Sequence, residues 1–263
     1  RGDIRVTIPV VIGDGDVNRA WGAEQFVFDK LEVALIFQPE HLAAGIKYLI
    51  YSVAGATMGL LGIFMLTPNL SSPYFVEGGS LVTDGMTLSN NGMLIVILVT
   101  IIGFGTKAGM FPMHGWLPTA HPVAPAPASA LLSGIIAKAG IIAVIRLVYY
   151  SVGTDFLKGT WVQYAWMSLA MLTIFMGSMM AFMEKNLKKR LAYSTVSQIS
   201  YIMLGLSLMS PEGMKGGLLH VMCHAASKGC LFLVAGVFIY KLGKRNVAEL
   251  KGVVGNIFAH QPR

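Results

Sequence analysis

Six stretches of this chain stay apolar for long enough to cross a lipid bilayer: residues 42–66, 92–112, 128–150, 163–183, 191–209 and 216–240. Roughly 17–25 predominantly apolar residues in helical form match the hydrocarbon thickness. A backbone in that medium must satisfy its own N–H and C=O groups, which leaves helices or closed barrels, and runs of this length select helices. The expectation is an all-α polytopic membrane protein with about six transmembrane helices. Only 13% of residues are charged, close to half of the roughly 25% usual in soluble domains. The thirty glycines suit helices that approach one another closely.

The remainder of the chain orients these spans. Residues 1–41 are expected to be a polar, irregular segment, with RVTIPVVIG able to form a strand and GDGDVN a turn. FVFDKLEVALIF (26–37) is apolar, but it is too short to span and carries Asp29, Lys30 and Glu32. The transmembrane domain is then 42–241, with a tail over 242–263. The net charge of +7 shows no basic stripe with interleaved aromatics, so nucleic acid is excluded as a partner. It gathers instead in EKNLKKR (184–190) and KLGKR (241–245), the positive-inside pattern. Residues 184–190 and 241–263 are therefore expected on the cytoplasmic side. The loops 67–91, which lacks Lys and Arg, and 151–162 are expected opposite. The expected location is a prokaryotic inner (cytoplasmic) membrane. The chain opens RGDIRVTIPVV, with neither an initiating Met nor an apolar leader core, and is expected to be an internal piece of a longer protein.

Three lysines lie inside the apolar spans: Lys107, Lys138 and Lys228. A charge at mid-depth costs roughly 2.5–3.5 kcal/mol on insertion scales, and ionisable groups held there mark ion or proton pathways by default. His220, His224 and Lys228 follow one another at intervals of four on one helical face. Such a ladder can relay protons, because imidazole titrates near neutrality. A lone histidine would more plainly be a packed hydrogen-bond donor, but two histidines and a lysine on one face of a span reverse that balance, because apolar surroundings make each costly; a zinc site is a weaker alternative without a third ligand nearby. Lys107 is followed by Pro112, His114, Trp116, Pro118, His121, Pro122, Pro125 and Pro127. That is the pattern of a discontinuous transporter helix, and equally of a proline-rich surface loop between two helices. Lys47 and Arg146 are expected to be snorkelling anchors near span ends. Lys185, Lys188, Lys189 and Arg190 are read as a topology signal, with Glu184 in the same solvated loop. AYSTVSQISY (192–201) suits close helix packing, with Ser194, Ser197 and Gln198 able to hold water. Cys223 and Cys230 are expected to be buried, unpaired thiols.

Four stretches together resemble a known family. They are KAGMFPMHGWLPTAHPVAPAPASALLSGIIAKAGIIAVIRL (107–147), KNLKKRLAYSTVSQISYIMLGL (185–206), HVMCHAASKGCLFLVAGVFI (220–239) and PEHLAAGIKYLIYSVAGATMGLLGI (39–63). With the KRNVAELKGV tail, they resemble the proton-conducting antiporter-like subunits of respiratory complex I, Mrp-type Na⁺/H⁺ antiporters and energy-converting membrane-bound hydrogenases. The resemblance implies two inverted five-helix repeats, each with a broken helix, around an axis of lysines, histidines and a glutamate. By position it makes Lys107 the broken-helix lysine, with Pro112 at the break and His114 just past it toward the uptake side. Lys138 becomes the connecting lysine, and His220, His224 and Lys228 the link to the second half. The family's glutamate before residue 42 has no clear counterpart, since Glu32 sits in a run too short to span. The second broken helix would begin beyond residue 255.

The function implied is proton translocation within a redox-driven complex, either complex I-like or a membrane-bound hydrogenase. An Mrp-type Na⁺/H⁺ antiporter subunit and a non-conducting structural or truncated fragment are the alternatives. The expected partners are other membrane and peripheral subunits, the lipid bilayer, and H⁺ or Na⁺. No cofactor, metal or redox centre is expected in this chain, whose part in any oxidoreductase would be ion translocation.

Overall fold

The computed structural model describes residues 39–250. The expected strand, turn and short apolar run before residue 38, Glu32 included, lie outside the described residues, as does the tail after 250. Everything below belongs to the compact unit 43–263, apart from the first residues of the first helix.

The described chain is helical throughout its membrane-sized elements. They are α1 (Pro39–Leu66), α2 (Asn90–Ala108), the short α3 (Leu117–Val123), α4 (Ala126–Val152), the short α5 (Thr154–Leu157), α6 (Trp161–Met183), α7 (Leu187–Ser207) and α8 (Pro211–Leu242). Six of these match the six spans read from the sequence. Five are long and apolar enough to cross a membrane. The exception, α7, has 21 residues, about 31 Å at 1.5 Å per residue, but carries basic residues and hydroxyls along its length. It lies between α6, α8, α3 and α4, so its polar groups meet protein.

Local chemistry sets the ends. Ser89 accepts the Gly92 N–H and Ser210 the Gly213 N–H, each as an N-cap, while Asn186 caps Lys189. The end of α2 departs from expectation. The helix stops at Ala108, not at 112, because Gly109 adopts a left-handed φ of 83°. Gly109 N–H donates to Thr106 and Met110 N–H to Gly105, a Schellman closure that glycine permits without a Cβ clash. Pro112 lies in the turn that follows.

α1 and α2 approach through small residues. A Cβ on Gly55 would stand 2.7 Å from Thr106 Cβ and 2.9 Å from the Gly103 carbonyl, so glycine is required for this separation. α4 crosses the end of α2 just as closely, at Gly140 against the Phe104 carbonyl. The buried core runs through Ile97, Ile101, Trp116, Ile141, Trp166 and Ile199.

The loops pair at the two ends of the bundle. Leu187 N–H donates to Arg245 and Val247 N–H to Lys185, joining the two basic loops at one end. At the other, Val76 N–H donates to Tyr150 and Ser80 N–H to Ser151, joining 67–91 to the start of 151–162. Cys223 and Cys230 are free but exposed, which corrects the expectation of burial. His224 and Lys228 take the inward face of α8, and positions one or two residues away turn outward at 100° per residue.

Candidate functional site

Lys107 occupies the last turn of α2, where the helix dipole favours a cation. Its ammonium donates to Tyr48 Oη at 2.9 Å and lies 5.0 Å and 5.9 Å from the centroids of the Tyr48 and Trp116 rings. The two rings meet edge-on, and Trp116 Nε1 donates to the Thr106 carbonyl at 2.8 Å. That carbonyl belongs to the last turn of α2. The broken segment therefore folds back over the helix end and offers Lys107 a cage of ring faces. Tyr48 was not legible as a partner, although it shares the inward face of α1 with Ala44 and Gly55.

The same face of α1 corrects the reading of Lys47. Rather than snorkelling to the lipid boundary, it donates to Thr119 Oγ1 at 3.2 Å, tying α1 to the broken segment. Arg146 is exposed and lies 5.3 Å from the Phe75 ring centroid. His114 stacks on Phe111 at 5.9 Å, and its buried Nδ1 has no partner.

Lys138 and Lys228 are buried, at 4% and 6% exposure, and their hydrogen bonds end on adjoining groups of α4 and α7. Lys138 donates to the carbonyl of Ser133, which lies in a π turn over Leu132–Ile136. Ser133 Oγ bonds Thr195 Oγ1 at 3.0 Å, and Thr195 Oγ1 donates to the Leu191 carbonyl at 2.9 Å. Lys228 donates to the same carbonyl at 3.2 Å and to Ser194 Oγ at 2.5 Å. Two lysines on different helices thus converge through hydroxyls of α4 and α7. Ser133, Thr195 and the Leu191 carbonyl escaped the sequence reading; the small hydroxyls in AYSTVSQISY were its only signal. Ser197 meets Ser178 at 2.8 Å, and Gln198 lines a cavity of about 520 Å³ with Arg190 and Ser194.

His220 and His224 stack on one face of α8, 6.0 Å apart. His224 is buried with both ring nitrogens unpartnered, and His220 Nε2 is likewise unpartnered. Lys138, Lys228 and His220 all lie close enough to act on His224 electrostatically. Among the described residues no three His, Cys, Asp or Glu side chains converge as a metal site would need, nor does any carboxylate pair with Lys107, Lys138 or Lys228. The basic loop divides in two. Lys189 pairs with Glu184 at 2.8 Å, whereas Lys188 turns inward, 7% exposed, and donates to the Ala124 carbonyl at 2.7 Å. Lys188 was expected to be a solvated topology signal.

The arrangement can hold and pass charge: cations and imidazoles at depth, joined by hydroxyls and carbonyls. Known proteins resemble this chain in sequence and in fold. The family model for "NADH:quinone oxidoreductase/Mrp antiporter, TM" matches residues 30–257. NADH-quinone oxidoreductase subunit N of Desulforudis audaxviator is 35% identical over 214 residues, which are 81% of this chain and 42% of that protein. Hydrogenase-4 component B of Escherichia coli is 34% identical over 79% of this chain and 32% of its own length. In solved structures, a chain of the Mrp complex from Dietzia sp. DQ12-45-1b superposes with a TM-score of 0.69 at 24% identity, covering 79% of this chain and 37% of that one. The chain spans less than half the length of these relatives. The match over 30–257 covers most of the sequence, and the chain belongs to the NADH:quinone oxidoreductase/Mrp antiporter transmembrane family.

Proposed function

We propose that this chain is the proton-conducting part of a subunit in a redox-driven membrane complex. Protons pass along Lys107, Lys138, His220, His224 and Lys228, with His114 beside the broken helix near the point of uptake. The observation that supports this reading is the convergence of buried Lys138 and Lys228 on adjoining groups of α4 and α7: Lys138 on the Ser133 carbonyl, Ser133 Oγ on Thr195, and both Thr195 and Lys228 on the Leu191 carbonyl. Two buried cations without carboxylates repel each other, so protonating one favours release from the other. A charge arriving at one lysine then drives the proton on its neighbour onward. The positive-inside bias supports a cytoplasmic position for 184–190 and 241–263, and a prokaryotic inner membrane fits the bacterial relatives. Other subunits supply the redox chemistry and the remainder of the axis.

Proton flux through the intact complex in reconstituted vesicles tests this reading. Lys107→Ala and Lys228→Ala each lower flux by about tenfold or more while the complex still assembles. Undiminished pumping in both variants would end the proposal. A flux that requires Na⁺ instead would reassign the subunit to Na⁺/H⁺ exchange.

A further inference from the structure

Lys228 is 6% exposed, so protons reach it through the groups that touch its ammonium. Among the described residues there are two. The Leu191 carbonyl accepts from it at 3.2 Å and Ser194 Oγ at 2.5 Å. A carbonyl has no proton to give, whereas a serine hydroxyl both donates and accepts. Lys138, His121 and His224 feel the charge of Lys228 without bonding to it. Ser194 is therefore the one proton-bearing contact of Lys228 among the described residues.

The same serine faces a second way. It is half-buried and lines the cavity of about 520 Å³ between α6 and α7, with Ser178, Arg190 and Gln198. That volume has room for on the order of ten waters, and hydroxyls, an amide and a guanidinium offer them partners. Leu187 and Val247 line it too, and Val247 N–H donates to the Lys185 carbonyl. The cavity thus runs from the junction of the two basic loops to the hydroxyl that touches Lys228.

We propose that Ser194 is the port through which Lys228 takes up protons from water on the basic-loop side. This deepens the proton-conducting reading above and rests on it. Once Lys228 has given up its proton, its amine can accept the Ser194 hydroxyl. The Leu191 carbonyl, which that hydroxyl leaves, keeps Thr195 Oγ1 as a donor at 2.9 Å. Hydronium in the cavity protonates Ser194 Oγ as the serine O–H proton passes to the amine. One O–H bond of hydronium breaks and one N–H bond forms. The serine O–H is broken and remade, and a water is left behind. An ammonium has no lone pair to accept with, so the port loads Lys228 only after the axis has emptied it.

Proton flux through the intact complex in oriented vesicles tests this, with Lys228→Ala as control. Ser194→Ala removes the hydroxyl and is expected to lower flux on the order of tenfold to a hundredfold. Ser194→Thr keeps the hydroxyl and is expected to stay near wild type. Loss in both assigns Ser194 to packing and overturns the port, as does full flux in Ser194→Ala. Should Ser194→Ala fail to assemble, a labelled variant decides. Ser178→Cys puts a thiol in the cavity wall, outside the contacts of Lys228. A bulky, membrane-impermeant thiol reagent added on the basic-loop side is expected to stop most of its flux, relative to the parent complex treated alike. A thiol that does not react, or that reacts without loss of flux, overturns the port. Full flux in the Ser194 variants with loss in Lys228→Ala removes the port alone. Normal flux in Lys228→Ala removes the pathway and the port with it.

Discussion

Helices α1 and α7 are both long enough to span a bilayer, and they differ in almost everything else. α1 buries five of its 28 residues, three of them glycines packed toward α2. Its outward side is a row of large apolar groups, including Leu49, Ile50, Val53 and Phe64. α7 buries eleven of its 21 residues, among them Lys188, Thr195, Ser197, Ser200 and Ser207. Its hydroxyls and carbonyls are spent on neighbours: Thr195 on Ser133, Ser197 on Ser178, and the Ser207 carbonyl on Gln163. Apolarity in this fold therefore tracks what a helix faces. A helix wrapped in other helices is free to be polar, and there a charge-conducting path can be built without exposing it to hydrocarbon.

The strongest way to break this contrast is to exchange the demands on the two helices. Val53 lies near the middle of α1 and is 57% exposed. Val53→Lys is expected to weaken insertion of that span by about 2.5–3.5 kcal/mol, measured as the inserted fraction of the tagged segment in membranes. In the same assay the unmodified α1 segment inserts by itself, and the unmodified α7 segment inserts poorly without its neighbours. Equal insertion of the two segments would show that enclosure is not what permits the polarity of α7.

A finer probe removes one polar contact from α7 and leaves its shape. Thr195→Val deletes the hydroxyl that joins Ser133 to the Leu191 carbonyl. Leaving Ser133 Oγ buried without this partner is expected to cost about 1–3 kcal/mol, read as a lower midpoint in thermal unfolding of the solubilised complex. Proton flux should fall as well, because the hydroxyl that holds Ser133 against the Leu191 carbonyl, between the two lysines, is lost, while Thr195→Ser restores both. A stable Thr195→Val protein with full flux would make the hydroxyl chain incidental to the pathway.

What could be read beforehand follows the same division. Helix number was legible, since it depends on long apolar runs, and the two basic loops at 185–187 and 245–247 lie together at one end of the bundle. Lys107, Lys138 and Lys228 were visible as anomalies for the same reason. Their partners were not, because Tyr48, Ser133 and the Leu191 carbonyl are ordinary groups that become special only when helices meet. Proline drew attention to residue 112, while the helix ends at Gly109, where a left-handed turn is easiest. His121 was legible only as part of the proline-rich connection after Lys107, because its enclosure depends on Phe232, 111 positions further on. The π turn at Leu132–Ile136 has no local signature at all, and it frames the carbonyl that receives Lys138.

The smallest effect is expected at the foot of α7, where the basic loop returns to solvent. Lys188 and Lys189 are neighbours in sequence, yet one is enclosed and the other pairs with Glu184 at 2.8 Å in the open. Partial burial pushes the Glu184 carboxyl up, but the Lys189 ammonium and the Asn186 and Lys185 N–H groups outweigh it and hold the group below its usual value. A carboxyl depressed in the folded state adds stability above its unfolded pKa of about 4.3, and that stability is lost as pH falls through the lower folded value. With Lys189 41% exposed, screening leaves the pair about 0–1 kcal/mol. Glu184→Gln should therefore lower the unfolding midpoint slightly at pH 7, with the difference shrinking toward zero in acid and in high salt. Lys188→Gln should show a larger difference that salt scarcely changes, because its ammonium is shielded from the electrolyte. Equal salt dependence for the two variants would mean that the inward turn of Lys188 does not shelter it, and the contrast between enclosed and open polarity would fail at the point where α7 enters the bundle.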